Sequence, residues 1–213
     1  MEIKNGGIMM RIITISREFG SGGRELGKRL ADALGIPCYD HEIMDMVAEK
    51  YGFDKNYISH VSEKDIRVFY PTTIAHRLIA PHLMTQQSVS IAVSEHQLIQ
   101  ELAQQGDCVI VGRSADIVLR EMNPMNIFVY ADWQSKLNRC KNRADGSEHF
   151  SEKEILKKMK QIDKERAAYR SLFCEKDWGK KESYHLCINT SGKEIKALIP
   201  AVADYVRLWF GQE

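Results

Sequence analysis

The sequence predicts an α/β fold: a central parallel sheet of about five strands, flanked by helices. Three observations carry this. Short apolar runs recur along the chain and are continuous instead of alternating, as expected for strands buried on both faces. Helical periodicities separate these runs. A glycine cluster lies between the first run and the first helical pattern, where open α/β sheets place a ligand.

Residues 1–10 show no periodicity and read as a flexible leader, so one domain is expected over 11–213. The β-branched run 11–16 is bounded by Gly20-Ser-Gly-Gly23 and predicts the first strand. Leu26, Leu30, Ala33 and Leu34 follow at helical spacing, and Gly35 ends that helix. A second short strand is expected over 36–39. The segment 41–105 is mostly helical in pattern, most clearly over 89–105, where Ile91, Leu98 and Leu102 share a face with Ile99 and Ala103. Three more strands are expected at 108–111, 126–131 and 185–189, with helices over about 115–121, 134–143 and 152–170 between them. Asp132, between a strand and a helix, reads as an N-cap. A last amphipathic helix carries Ile195, Leu198, Ile199, Val202, Val206 and Trp209, and Ser191-Gly-Lys-Glu194 fits a capping box at its start.

Composition narrows the class. Of 213 residues, 44% are hydrophobic and 28% charged, as in an average soluble protein. The five cysteines are scattered with no C-x-x-C pair, which argues against a disulfide scaffold or a zinc site built on paired cysteines. No apolar run approaches the roughly 18 residues of a membrane span, and the N-terminus has no signal-peptide layout. A cytoplasmic protein without a membrane partner is expected. The net charge of +1 is unevenly distributed: between Lys136 and Lys181 there are 14 Lys and Arg against 8 Asp and Glu, and elsewhere 16 against 21. A basic lid region over 134–181 on an acidic body points to a localised anionic partner; a solvated, charged helix pair is the other reading.

The glycine loop is the candidate anion site. Its amides and the helix N-terminus behind it would point at a ligand, with Arg17 and Arg24 on either side. The pattern Gly-x-x-x-x-Gly-Lys-[Ser/Thr] is absent, however: Gly23 stands where the lysine would, and Arg24 follows. A tight turn serving only helix–strand packing is the alternative.

The stretch Ile13-Thr-Ile-Ser-Arg-Glu-Phe-Gly-Ser-Gly-Gly-Arg-Glu-Leu-Gly27 resembles the opening of the cytidylate kinase-like proteins, a branch of the P-loop nucleoside monophosphate kinases. The likeness continues at Val109-Ile-Val-Gly-Arg-Ser-Ala-Asp116, Asp163-Lys-Glu-Arg-Ala-Ala-Tyr-Arg170, Trp178-Gly179 and Ile188-Asn-Thr-Ser191, and covers 11–209. It implies a P-loop NTPase-like sheet with a helical lid, and an ATP-dependent phosphotransferase acting on a nucleoside monophosphate, with CMP or dCMP as first guess, or on another small acceptor, with ATP as co-substrate and magnesium. By position, the resemblance places ATP phosphates on Gly20, Ser21, Gly22, Gly23 and Arg24, with Arg17 beside them, and the adenine near Asn189 and Thr190. It implies acceptor-side roles for Asp40 and Arg113, and catalytic roles for Arg24, Arg139, Arg143, Arg166 and Arg170. Structural salt bridges remain the alternative for Arg113 and for the lid arginines, the latter with Asp163 or Glu165.

The departures define the second reading. Besides the lysine, the hydroxyl that usually follows it is missing, Ser114 replaces an aspartate, and His41-Glu-Ile-Met-Asp45 replaces an acceptor motif. Segment 52–88 has no counterpart. A non-catalytic nucleotide sensor that kept the fold is therefore the alternative. A nucleic-acid partner is not expected, because the lysines of 153–164 alternate with acids and lack stacking aromatics. Ser21, Asp40 and Asp116 are the oxygen donors nearest the loop, but none is assigned to a metal.

Overall fold

A computed structural model describes residues 10–53, 86–143, 151–175 and 177–211. The expected leader, apart from Met10, and most of segment 52–88 lie outside the described residues. The strands are β1 (Ile12–Arg17), β2 (Cys38–Tyr39), β3 (Cys108–Val111), β4 (Met125–Tyr130) and β5 (Leu186–Asn189). The described helices are α1 (Gly23–Leu34), α2 (Glu42–Tyr51), α3 (Gln86–Gln104), α4 (Ala115–Val118), α5 (Trp133–Arg143), α6 (Glu152–Ser171) and α7 (Ile195–Trp209). All strands are parallel, in the order β2-β3-β1-β4-β5. The expected helix over 115–121 is split into α4 and a 3-10 turn at Arg120–Met122.

The continuous apolarity of the strands has a direct cause. Successive side chains point to opposite faces, and both faces are covered. Ile13, Ile15, Val109, Val111, Ile127 and Val129 pack under α1 and α7. Ile12, Cys108 and Ile110 face the other way, under α2 and α3. Over β4 that second face is covered by aromatic rings: Phe128 meets Trp178 edge-on at 5.2 Å and Tyr184 at 4.8 Å. After Ile12 the same face of β1 turns polar, with Thr14 and Ser16 buried and Thr14 Oγ1 donating to Asn126 Oδ1 at 2.7 Å.

The helix starts follow local chemistry, with one departure from expectation. Asp132 caps α5 by accepting from Ser135 N at 2.6 Å. Ser191 does not cap α7. Its hydroxyl accepts from Asp132 N at 2.7 Å and donates to Asn189 Oδ1 at 2.6 Å, and α7 starts after Glu194 with no side-chain cap. The β5–α7 turn takes the hydroxyl to join the ends of β4 and β5. A true capping box stands at α6, where Ser151 and Glu154 satisfy each other's backbone amides.

Gly27 lets α1 lie flat on the sheet: a Cβ there would sit 2.6 Å from Val111 Cγ2 and 3.1 Å from Ile15 Cδ1. Gly27→Ala is expected to cost about 1–3 kcal/mol of stability through overpacking, read from urea unfolding.

Candidate active site

The strand ends converge on one edge of the sheet. Arg17 ends β1, Asp40 follows β2, Gly112 follows β3, Asp132 follows β4 and Thr190 follows β5. This is the edge at which open parallel sheets bind ligands, and the crevice beside β1 is where strand order reverses.

The glycine loop turns from β1 into α1 through left-handed Gly20 (φ +78°) and Gly22 (φ +85°). The surroundings are too close for side chains: a Cβ on Gly22 would lie 2.4 Å from Ile195 Cδ1, and one on Gly20 would lie 3.1 Å from the Lys136 carbonyl oxygen. Ser21 is fully buried, and its hydroxyl donates to the Glu18 carbonyl at 2.8 Å. Thr190, also buried, donates from Oγ1 to the Ser21 carbonyl at 2.7 Å and so ties the loop to the end of β5. Arg139 reinforces the tie from α5: Nη1 donates to Ser21 O at 3.3 Å, and Nη2 to Thr190 O at 2.6 Å and Lys193 O at 3.0 Å. Lys136 pairs with Glu18 at 2.9 Å. The Asn189 side chain accepts from Ser191 within its own turn.

Helix α6 lies against both walls of the site. Asp163 Oδ1 accepts from the Phe19 amide at 2.7 Å. Arg166 Nη1 donates to the Arg17 carbonyl at 3.0 Å, and its guanidinium lies 5.9 Å from the centre of the Phe19 ring. Further along, the Tyr169 hydroxyl donates to Glu95 Oε2 at 3.0 Å. The other Glu95 oxygen lies 3.2 Å from Arg113 Nη1 as an ion pair without hydrogen-bond alignment. Arg170 pairs with Asp116, both side chains being buried, while Asp116 Oδ1 has no hydrogen-bond partner.

The turn that presents Arg113 is backbone-strained. Gly112, Arg113 and Ser114 all have positive φ (+83°, +57° and +48°), and each non-glycine residue costs about 1–2 kcal/mol there. The pairs Arg113–Glu95 and Arg170–Asp116 tie the turn to α3 and α6. Across the crevice, Asp40 Oδ1 accepts from Arg17 Nη2 at 3.5 Å, Asp40 Oδ2 lies 2.5 Å from Arg24 Nε as an ion pair without hydrogen-bond alignment, and Arg24 also reaches His41 Nδ1 at 2.5 Å.

The structure thus brings Arg17, Gly20 to Arg24, Asp40, Arg113, Arg139, Arg166, Arg170 and Thr190 to one edge. Arg143 ends α5, and its side chain lies outside the described residues. Arg139 is committed to carbonyls and Arg170 to a buried carboxylate, while Arg17 and Arg24 pair with Asp40 and Arg166 binds Asp163 and the Arg17 carbonyl. Sequence reasoning missed Glu18, Glu95 and Tyr169. Glu95 sits one helical turn before Leu98 and Ile99 on an otherwise apolar face, and a charge there was the signal available.

The residues present do not form a dedicated magnesium site. Among the described residues no group of three or more His, Cys, Asp or Glu could hold a metal, and the Ser21 hydroxyl is committed to Glu18. Magnesium would therefore have to arrive on nucleotide phosphates with its own waters.

Two stability consequences follow. Arg170→Ala leaves Asp116 buried and unpaired and is expected to cost about 3–5 kcal/mol, whereas Arg170→Met with Asp116→Leu recovers most of it in urea unfolding. Burial pushes the Asp163 carboxyl up from its ordinary value, against the Phe19 amide and Arg166, which pull it down. The native state holds that proton to higher pH than the unfolded chain. Stability therefore falls as pH rises from the ordinary carboxylate value through the raised one. Asp163→Asn should remove this slope when unfolding is followed across that window.

A model of the cytidylate kinase-like family matches residues 12–192. Among solved structures, an uncharacterized protein from Eubacterium ventriosum is 29% identical, with a TM-score of 0.66 over 92% of this chain and 98% of its own. Shikimate kinase from Bacteroides thetaiotaomicron is 14% identical, with a TM-score of 0.56 over 95% of this chain and 99% of its own, and shares the fold. No curated protein matches the chain. No helix among the described residues is long and apolar enough to cross a membrane. The match spans the glycine loop, the Gly112–Asp116 turn and the arginines of α5 and α6, and the chain belongs to the cytidylate kinase-like family.

Proposed function

We propose that the chain is an ATP-dependent phosphotransferase acting on a small acceptor, a nucleoside monophosphate with CMP or dCMP as first choice. One observation carries the reading: a glycine loop with no room for side chains at Gly22 and Gly23 is surrounded by arginines from β1, α1, the β3–α4 turn and α6. Phosphoryl transfer needs in-line positioning and concentrated positive charge more than covalent help from the protein.

The residues divide by reach. The loop Gly20 to Arg24, with Arg17, holds the ATP phosphates, and the turn at Asn189 and Thr190 borders the base. Asp40 and Arg113 face the acceptor across the crevice. Arg24 and Arg166 supply charge to the transferring group. Arg139 and Arg170 are positioning residues, the first fixing the loop and the second the turn that carries Arg113; Arg143 extends the same lid. Magnesium, carried on the nucleotide phosphates, would supply charge neutralisation there. When α6 closes on the loop, it excludes water that would otherwise compete with the acceptor.

A nucleotide sensor without turnover is the second reading, favoured by glycine at the lysine position. Incubating the protein with ATP, magnesium and each nucleoside or deoxynucleoside monophosphate, with ADP as readout, separates the two. Acceptor-dependent ADP is expected with CMP or dCMP. ATP binding with no ADP from any acceptor would establish the sensor. Arg166→Ala is expected to lower kcat by about 10²-fold or more while leaving the KM for ATP nearly unchanged.

A further inference from the structure

In the pattern Gly-x-x-x-x-Gly-Lys-[Ser/Thr], the strand ends on a glycine and the helix opens on a lysine that reaches the phosphates. Counted back from Gly22 as the second glycine, the first position is Arg17 and the lysine position is Gly23. The two diagnostic residue types are thus exchanged, with the cation at the front of the loop and the glycine at the back. Read from the sequence, this looks like the loss of a lysine.

The structure explains why the two changes go together. A Cβ on Gly23 would lie 2.5 Å from Arg17 Cβ, 3.0 Å from Arg17 Cγ and 3.3 Å from Val129 Cβ. Neither backbone can yield cheaply, because residue 17 is held in the ladder opposite Val129 and Gly23 opens α1 beneath the sheet. The space between positions 17 and 23 admits one side chain. A lysine at 23 requires glycine at 17, and an arginine at 17 requires glycine at 23.

We propose that Arg17 takes over the work of the missing lysine, delivering the phosphate-binding cation from the strand side of the loop. This rests on the phosphotransferase reading only for its role in turnover; the binding role stands by itself. A third glycine supports it. At Gly112 a Cβ would fall 1.7 Å from Arg17 Nη1 and 2.7 Å from Cζ, so the guanidinium lies directly against the backbone that follows β3. It therefore sits in the crevice between the ends of β1 and β3, 3.5 Å from Asp40, while Arg166 holds its own carbonyl at 3.0 Å. Arg24 is set differently: it leaves α1 at the rim, half-exposed, bound to Asp40 and His41. A guanidinium in the crevice offers a planar fork to phosphate oxygens between loop and acceptor, where an ammonium would offer a point charge.

The test uses inorganic tripolyphosphate and ATP as calorimetric probes of the full chain, with circular dichroism to confirm folding. Arg17→Gln is expected to weaken tripolyphosphate binding about tenfold or more, the worth of one charge-assisted hydrogen bond. Arg17→Gly should do the same. The double variant Arg17→Gly with Gly23→Lys restores the common pattern and should bind within a few-fold of wild type, whereas Gly23→Lys alone should lower the melting temperature. Should the double variant not fold, Arg17→Lys replaces it and must recover part of what Arg17→Gln loses. Wild-type affinity in Arg17→Gln, a folded double variant no better than Arg17→Gly, an Arg17→Lys no better than Arg17→Gln, or no tripolyphosphate binding by the wild type would each overturn the proposal. Polyphosphate binding that depends on Arg17, without ADP formation, would instead sink the phosphotransferase reading and leave this one standing.

Discussion

The candidate site depends on a single face of α6. Asp163, Arg166, Tyr169 and Arg170 follow each other at spacings of three, three and one, close to one side of the helix. The first two bind the backbone of the glycine loop, and the last two bind Glu95 and Asp116, which hold the Gly112–Asp116 turn. The two walls already meet through the β1–β3 ladder and through Arg17 against Gly112, and this polar seam of α6 bridges them a further time. Of the twenty residues of α6, only Met159 and Arg170 are buried. The helix is thus docked by directional polar contacts with little apolar area, and such elements open more readily than the core. That combination suits a lid: precise when closed and inexpensive to lift.

The fold was largely legible because its signals are local. Five apolar runs fell within two residues of the five strands, and the glycine loop announced the turn from β1 to α1. The arginines of the site were legible through resemblance, but their partners were not. Nothing in the sequence joins Arg113 to Glu95 or Arg170 to Asp116, because these pairs form between distant segments only once α3, α4 and α6 pack together. Ser191 failed for a related reason. Its local pattern matched a capping box, but the Asp132 amide and Asn189, brought beside it by β4 and β5, claimed the hydroxyl first. The departure at Gly23 was legible as an absence, and only the Cβ distance to Arg17 shows it to be half of an exchange.

The charge pattern also changes meaning in three dimensions. From sequence, the basic stretch 136–181 reads as a positive lid facing an anion. In the structure its lysines at 153, 157, 158, 160 and 164 are exposed on the outer side of α6, and its inward-facing arginines each meet a carboxylate or a carbonyl. Around the crevice stand Arg17, Arg24, Arg113, Lys136, Arg139, Arg166 and Arg170 against Glu18, Asp40, Glu95, Asp116 and Asp163, seven cations to five anions. A surplus of two is enough to attract a phosphate without the self-repulsion that seven unpaired cations in a small space would carry. For the phosphate ligand proposed above, the carboxylates prepare the site before it arrives. They fix guanidinium positions that would otherwise be costly to order, so an incoming phosphate meets arginines whose rotamer entropy has already been lost. A glycine loop whose cation comes from the strand side fits this arrangement, because Arg17 from β1 and Arg24 from α1 share Asp40 as their anchoring carboxylate.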